Sequence, residues 1–169
     1  MGGLKRLSLI RHAKSSWKDA GIGDFDRPLN ARGERDAPRM GRRIAASGER
    51  PELFVSSPAQ RAARTAELIV RELGKRAPRL ELERALYLAS PEQMLELIRG
   101  LEAAVRHAAL VGHNPGTTEL VELLSGAEVG NVPTCGVVRL RLGIEAWSEA
   151  GPGCAEVEDF DYPKREAEA

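Results

Sequence analysis

The sequence predicts an α/β protein: one domain of three layers, αβα, with helices on both faces of a largely parallel central sheet. Three observations predict it. Short apolar runs alternate with longer segments of helical period, the pattern of strand–helix–strand units rather than of hairpins. The chain's 169 residues suit one compact domain and suffice for a proper core. No internal repeat and no linker divides it, so a single domain over residues 1–169 is expected, with its core at about 5–145.

Taken in order, strands are read at residues 6–10, 53–56, 80–83, 108–111 and 137–142. Between the first two lie a loop and a helix over "RGERDAPRMGRRIAAS", whose Pro38 is expected in its first turn because proline lacks the amide an inner turn needs. A second helix is read over 58–73. Ser57 is its natural N-cap, Pro58 suits its first position, and Ala62, Ala66, Ile69 and Leu73 recur on one face. Gly74 ends it. A third helix is read at 91–99 and a fourth from 115 or 116 to 124, closed by Gly126. In the last strand Arg139 and Arg141 alternate with Val138, Leu140 and Leu142, which predicts a wet face near the sheet edge. Beyond Ala146 the sequence sets no clear order, and "REAEA" reads as a frayed tail.

Composition narrows the function. Twenty-five basic and 25 acidic residues cancel, so no global field favours nucleic acid or an anionic membrane, and any anion site must be local. Cys135 and Cys154 form neither a CxxC nor a close pair, which argues against a disulfide framework and suits a reducing cytoplasm. No apolar run reaches the length of a membrane span or signal peptide, and Met1-Gly2-Gly3 lacks the Ser or Thr of an acylation start.

The chemistry gathers at three strand ends. In open α/β sheets ligands bind outside the carboxyl ends of strands. The first strand ends in Arg11-His12, the second runs through Ser56-Ser57-Pro58 into a helix whose first turn carries Arg61, and the fourth ends in Gly112-His113-Asn114-Pro115. If those strands are neighbours, two histidines and two arginines converge. Arginine's planar donors match phosphate oxygens and keep their charge when partly buried, and helix N-termini add partial positive charge. A neutral imidazole among cations can accept a phosphoryl group as a nucleophile, while fixed donors stabilise the charge on the transferring oxygens.

Competing readings are weighed on the same residues. His107, beside Arg106, reads as a surface histidine. His12 and His113 taken singly are either satisfied polar residues at strand ends or catalysts; jointly they favour catalysis. Arg64 reads as a solvated partner of Glu67, Arg39, Arg42, Arg43 and Arg71 as exposed helix charges, and Lys14 reads either way. A metal is not expected: His107 and His113 on one strand would stand about 20 Å apart at roughly 3.3 Å per residue, and two arginines beside His12 and His113 would repel a cation.

Four ordered stretches, "LIRHAKSSW", "DFDRPLNARG", "SSPAQRAARTAEL" and "LVGHNPG", resemble the histidine phosphatase superfamily, and most closely its small SixA-type phosphohistidine phosphatases. The resemblance spans about residues 7–142. It implies the phosphoglycerate mutase-like fold, with His12 as the phosphorylated nucleophile, Arg11 and Arg61 on the phosphoryl oxygens and His113 completing the pocket. Ser15 and Lys18 are further candidates for phosphate contact; Lys18 stands where mutase-like relatives have an asparagine. Ala13 replaces the glycine of the better-known signature. Relatives acting on alkyl phosphates carry a mid-chain glutamate where this sequence has Ala89 and Ser90, which leaves Asp24 and Asp26 as candidate general acids, each equally readable as a loop cap or Arg27 partner. A phosphoramidate needs less acid help than an alkyl ester. Fifty-one residues lie between Arg61 and His113, too few for a large lid, so a bulky protein-borne phosphate can enter. The expectation is a cofactor-independent phosphatase for a phosphate-bearing substrate, a histidine-phosphorylated protein foremost. The alternatives are a phosphatase for small esters, a mutase, or a non-catalytic phosphate-binding module.

Overall fold

The computed structural model describes residues 4–165. The start Met1-Gly2-Gly3 and the tail after Arg165 lie outside the described residues. Six strands and four α-helices follow in the order β1 (Lys5–Arg11), α1 (Ala31–Ser47), β2 (Leu53–Ser56), α2 (Gln60–Glu72), β3 (Arg79–Leu82), α3 (Pro91–Arg99), β4 (His107–Gly112), α4 (Gly116–Ser125), β5 (Val137–Leu142) and β6 (Ala155–Asp161). The sheet order is β3-β2-β4-β1-β5-β6, and only β5 runs against the rest. The fold is therefore the single-domain, largely parallel α/β sheet expected.

Strand alternation divides the core between the two faces. Leu7, Leu9, Leu53, Val55, Ala108 and Leu110 pack with Met94, Leu95 and Ile98 of α3 and Leu120 and Leu124 of α4. Ile10, Phe54, Ala109 and Val111 face the other way, onto Ala37, Met40 and Ile44 of α1 and Ala62, Ala66 and Ile69 of α2. Removing a side chain such as fully buried Ile69 would cost roughly 2–5 kcal/mol. Helices α1 and α2 approach closely at Gly41, where an added Cβ would lie 2.9 Å from the Ile69 carbonyl oxygen.

Three expectations are corrected. Helix α1 begins at Ala31 because Asn30 caps the Gly33 amide, so Pro38 stands inside the helix, not in its first turn. An interior proline costs about 3 kcal/mol, and the packing of Ala37, Met40 and Ile44 against α2 offsets it. Helix α2 starts at Gln60 with Ala59, not Ser57, at its cap position; the Ser57 hydroxyl accepts from the Ala59 amide just ahead of the helix and also meets His113. As expected, β5 lies near the sheet edge with Arg139 and Arg141 on its wetter face; the edge strand beside it is β6, where Arg141 pairs with Glu156 and Glu158 meets both Arg6 and Arg139. Arg43 is half-buried and donates to Asp161 and to the carbonyls of Tyr162 and Pro163, tying α1 to the end of the described chain.

Candidate active site

Backbone pairing brings the site together. β4 lies between β1 and β2, with Arg11 opposite Gly112 and Ser56 opposite Val111. The His12 amide donates to the Gly112 carbonyl and the Ser57 amide to the Val111 carbonyl, extending the ladder by one residue. Ser57, His113 and His12 therefore emerge side by side from three adjacent strands. The rings of His12 and His113 lie 5.3 Å apart, close to one interstrand spacing.

They line a cavity of about 280 Å³ together with Arg11, Lys14, Ser15, Trp17, Asp24, Arg27, Arg61, Leu88, Asn114 and Thr134. The expected four, Arg11, His12, Arg61 and His113, are thus brought together, with Ser15 and Asp24 beside them. Lys18 is exposed and outside the cavity wall, and Lys14 occupies the wall instead. Asp26 is likewise exposed and off the wall. Residues 62–112 are taken up by α2, short turns, β3, α3 and β4, which leaves no lid among them.

Each ring is held in one tautomer. His12 Nδ1 lies 2.7 Å from the Ala13 carbonyl oxygen, which can only accept, so Nδ1 carries the proton and Nε2 keeps its lone pair. His113 Nδ1 accepts from Arg61 Nη2 at 3.3 Å, and its Nε2–H donates to Ser57 Oγ at 2.8 Å. Thr65 fixes Arg61 relative to the loop after β1: its hydroxyl accepts from the Ala13 amide and donates to the Arg61 carbonyl. Arg11 is anchored through Nη1 on the Val132 carbonyl. Arg11, Arg27 and Arg61 set three guanidiniums, each a planar fork of N–H donors, around one cavity. A tetrahedral oxyanion fits that donor set.

Electrostatics favours neutral histidines. Burial, then the charges of His113, Arg61 and Arg11, lower the His12 pKa to about 3 against the raising effect of the Ala13 carbonyl. Burial and Arg61 lower His113 to about 4. Asp24 is held near 2, first by the Tyr87 hydroxyl at 2.6 Å and then by Arg61 and Arg27. A carboxylate so stabilised is ionised at neutral pH, which suits a clamp on the arginines better than a proton donor. Asp24 thus pairs with Arg27, the second role weighed for it.

Several residues were not foreseen. Ser57 orients His113, Thr65 ties Arg61 to the His12 loop, and Tyr87 bonds Asp24 while packing its ring edge-on against His113. The Ser-Ser-Pro turn directly after a strand is the one signal the sequence offers, and its second hydroxyl serves both the Ala59 amide at the helix entrance and His113. His107 is not a surface residue. It is buried, and its Nε2 lies 2.7 Å from the Ser8 hydroxyl on the neighbouring strand.

Residues 7–86 match the family model for the Histidine phosphatase superfamily (branch 1). An uncharacterised protein of Mycobacterium tuberculosis is 34% identical over 165 residues, covering 92% of this chain and 100% of that one. A crystal structure assigned as the phosphohistidine phosphatase SixA of Agrobacterium tumefaciens superimposes with a TM-score of 0.81 at 29% identity, over 94% of this chain and 98% of that one. The structure of a protein histidine phosphatase SixA complexed with tungstate shares the fold, with a TM-score of 0.79 at 20% identity over 94% and 97% of the two chains. The chain belongs to the histidine phosphatase superfamily. The family match and the likeness to the Agrobacterium tumefaciens structure support phosphatase activity and a phosphate-bearing substrate.

Proposed function

We propose that the protein is a phosphohistidine phosphatase acting on phosphoprotein through a covalent intermediate on His12. One observation carries this: His12 has its Nδ1 proton fixed on the Ala13 carbonyl, leaving a neutral Nε2 as nucleophile in a cavity that also holds Arg11, Arg61 and His113.

Nε2 attacks phosphorus in line, forming the new N–P bond as the substrate's P–N bond breaks. Arg11 and Arg61 bind the equatorial oxygens. The departing imidazole nitrogen takes up a proton from solvent as the P–N bond breaks, so the leaving group needs no carboxylic acid from the protein. Water then attacks phosphorus and breaks the His12 N–P bond, which releases inorganic phosphate and restores neutral His12. No step needs Asp24 as an acid, which favours a substrate whose leaving group is an imidazole over an alkyl ester. The lack of a lid among residues 62–112 favours a protein-borne phosphate. The two free cysteines, one of them buried, fit a cytoplasmic setting, and no helix among the described residues is long and apolar enough to cross a membrane.

The test compares wild type and His12→Ala on an aryl phosphate and on a histidine-phosphorylated protein, with an acid-labile phosphate sought on the quenched enzyme. Turnover should fall on the order of 10³-fold or more in the variant, with the phosphoprotein preferred by wild type and chelators without effect. Undiminished turnover in His12→Ala would sink the mechanism; binding without turnover would favour a non-catalytic module.

A further inference from the structure

We propose that Trp17 and Leu88 form an apolar platform for the imidazole leaving group of the substrate, and so select ring-bearing phosphoramidates over small phosphates; the inference rests on the phosphohistidine reading above. Both residues line the active cavity. Both are also strongly exposed, Trp17 at 75% and Leu88 at 56%, in a protein with only five exposed large apolar side chains among the described residues. Isolated exposed leucines are unremarkable, but two large apolar groups on the wall of one polar cavity mark a contact surface.

The rest of that wall is cationic or polar and serves the phosphoryl group. Arg27, buried and bonded to Ser15 and Asp24, lies 3.6 Å from the Trp17 ring centroid. This contact fixes one face of the indole and leaves it oriented, while its exposure leaves the opposite face open. A planar leaving group stacks on such a face at little entropic cost, because the platform is already held. Leu88 supplies an independent observation. Its φ is +50°, a left-handed conformation that strains a non-glycine residue. Glycine or asparagine would relieve that strain, yet a leucine is held there, half out of the protein, on the cavity wall. Its neighbour Tyr87 is fixed by Asp24 and by its edge-on contact with His113, so the backbone carrying Leu88 is anchored to the catalytic groups.

The experiment measures kcat/KM for phosphoimidazole and for phosphoramidate, which share a P–N bond and differ in the ring, in wild type and in Trp17→Ala, Trp17→Phe, Leu88→Gly and His12→Ala. The ratio of phosphoimidazole to phosphoramidate should fall roughly three- to tenfold in Trp17→Ala and in Leu88→Gly and be retained in Trp17→Phe. Leu88→Gly should do so without loss of thermal stability, which separates a contact role from a structural one. Equal losses on both substrates would mean that Trp17 only covers Arg27, and would overturn the proposal, as would an unchanged ratio. A wild type inactive on both, or as active as His12→Ala, overturns the parent reading and this one with it; an active wild type with an unmoved ratio overturns the platform alone.

Discussion

Arg61 grips Asp24 twice: Nη1 donates to its main-chain carbonyl at 2.6 Å and Nη2 to its carboxylate at 3.0 Å. The same Nη2 reaches His113 Nδ1, so one aspartate in the 24–26 turn sets the angle of the arginine and, through it, the environment of the second histidine. Asp24→Asn keeps the carbonyl contact and loses the charged one. Arg61 is then less constrained, and displacement of a positioning group by about 1 Å costs up to ~100-fold in rate. A fall of about tenfold in kcat/KM is expected, checked by steady-state kinetics. The Asp24 side chain is nearly half exposed, at 45%, so solvent screens the pair and thermal stability should change little.

Ser57→Ala removes the acceptor of the His113 Nε2 proton. A buried donor left unpaired costs about 1–3 kcal/mol, and the ring is free to turn away from Arg61. Both a lower melting temperature and a reduced kcat are expected. Ser57→Thr, which keeps the hydroxyl, should recover activity if the fully buried site accepts the extra methyl.

The pH profile carries a sign. His12 is a base whose folded pKa is about 3 rather than the ordinary 6.5, so it stays a nucleophile well below neutrality. The acid limb of the free-enzyme profile should therefore lack an inflection near 6.5. Stability behaves differently. Between about pH 6.5 and 4 the unfolded chain takes up protons at His12, His107 and His113 that the folded protein refuses, so stability declines as pH falls through that window. Thermal unfolding at pH 5 and pH 7 should show the lower midpoint at pH 5.

Gly33 sits where α1 meets the loop after His12. A Cβ built there would stand 2.2 Å from the Lys14 carbonyl oxygen, an overlap that backbone must move to relieve. Gly33→Ala should destabilise the protein by several kcal/mol and reduce activity through the displaced loop. A melting temperature equal to wild type would contradict the packing described.

Much of this was legible in the sequence because strand ends carry their chemistry in line with the chain. Arg11-His12 and Gly112-His113 directly follow apolar runs, and Arg61 falls in the first turn of a patterned helix. What was not legible depends on charge or on pairing across the fold. β6 escapes a hydropathy reading because its sequence AEVEDFD is acidic; it is held by cross-strand partners on β1 and β5, which also explains the arginines of β5. His107 looked like a surface residue beside Arg106, since nothing local announces that Ser8 on the neighbouring strand will meet it. Ser57 shows the same limit: its hydroxyl accepts from the Ala59 amide, a bond local sequence suggests, while its bond to the His113 imidazole depends on tertiary placement.

The one-residue extension of the ladder from Arg11–Gly112 to His12 and His113 has an evolutionary consequence. Because the distance between the two histidines is a lattice constant of the sheet, mutation in the surrounding loops has little leverage over it. Trp17 and Leu88 lie on loops outside that ladder. Descendants of this scaffold can therefore exchange substrates by rewriting the rim while inheriting the reaction unchanged.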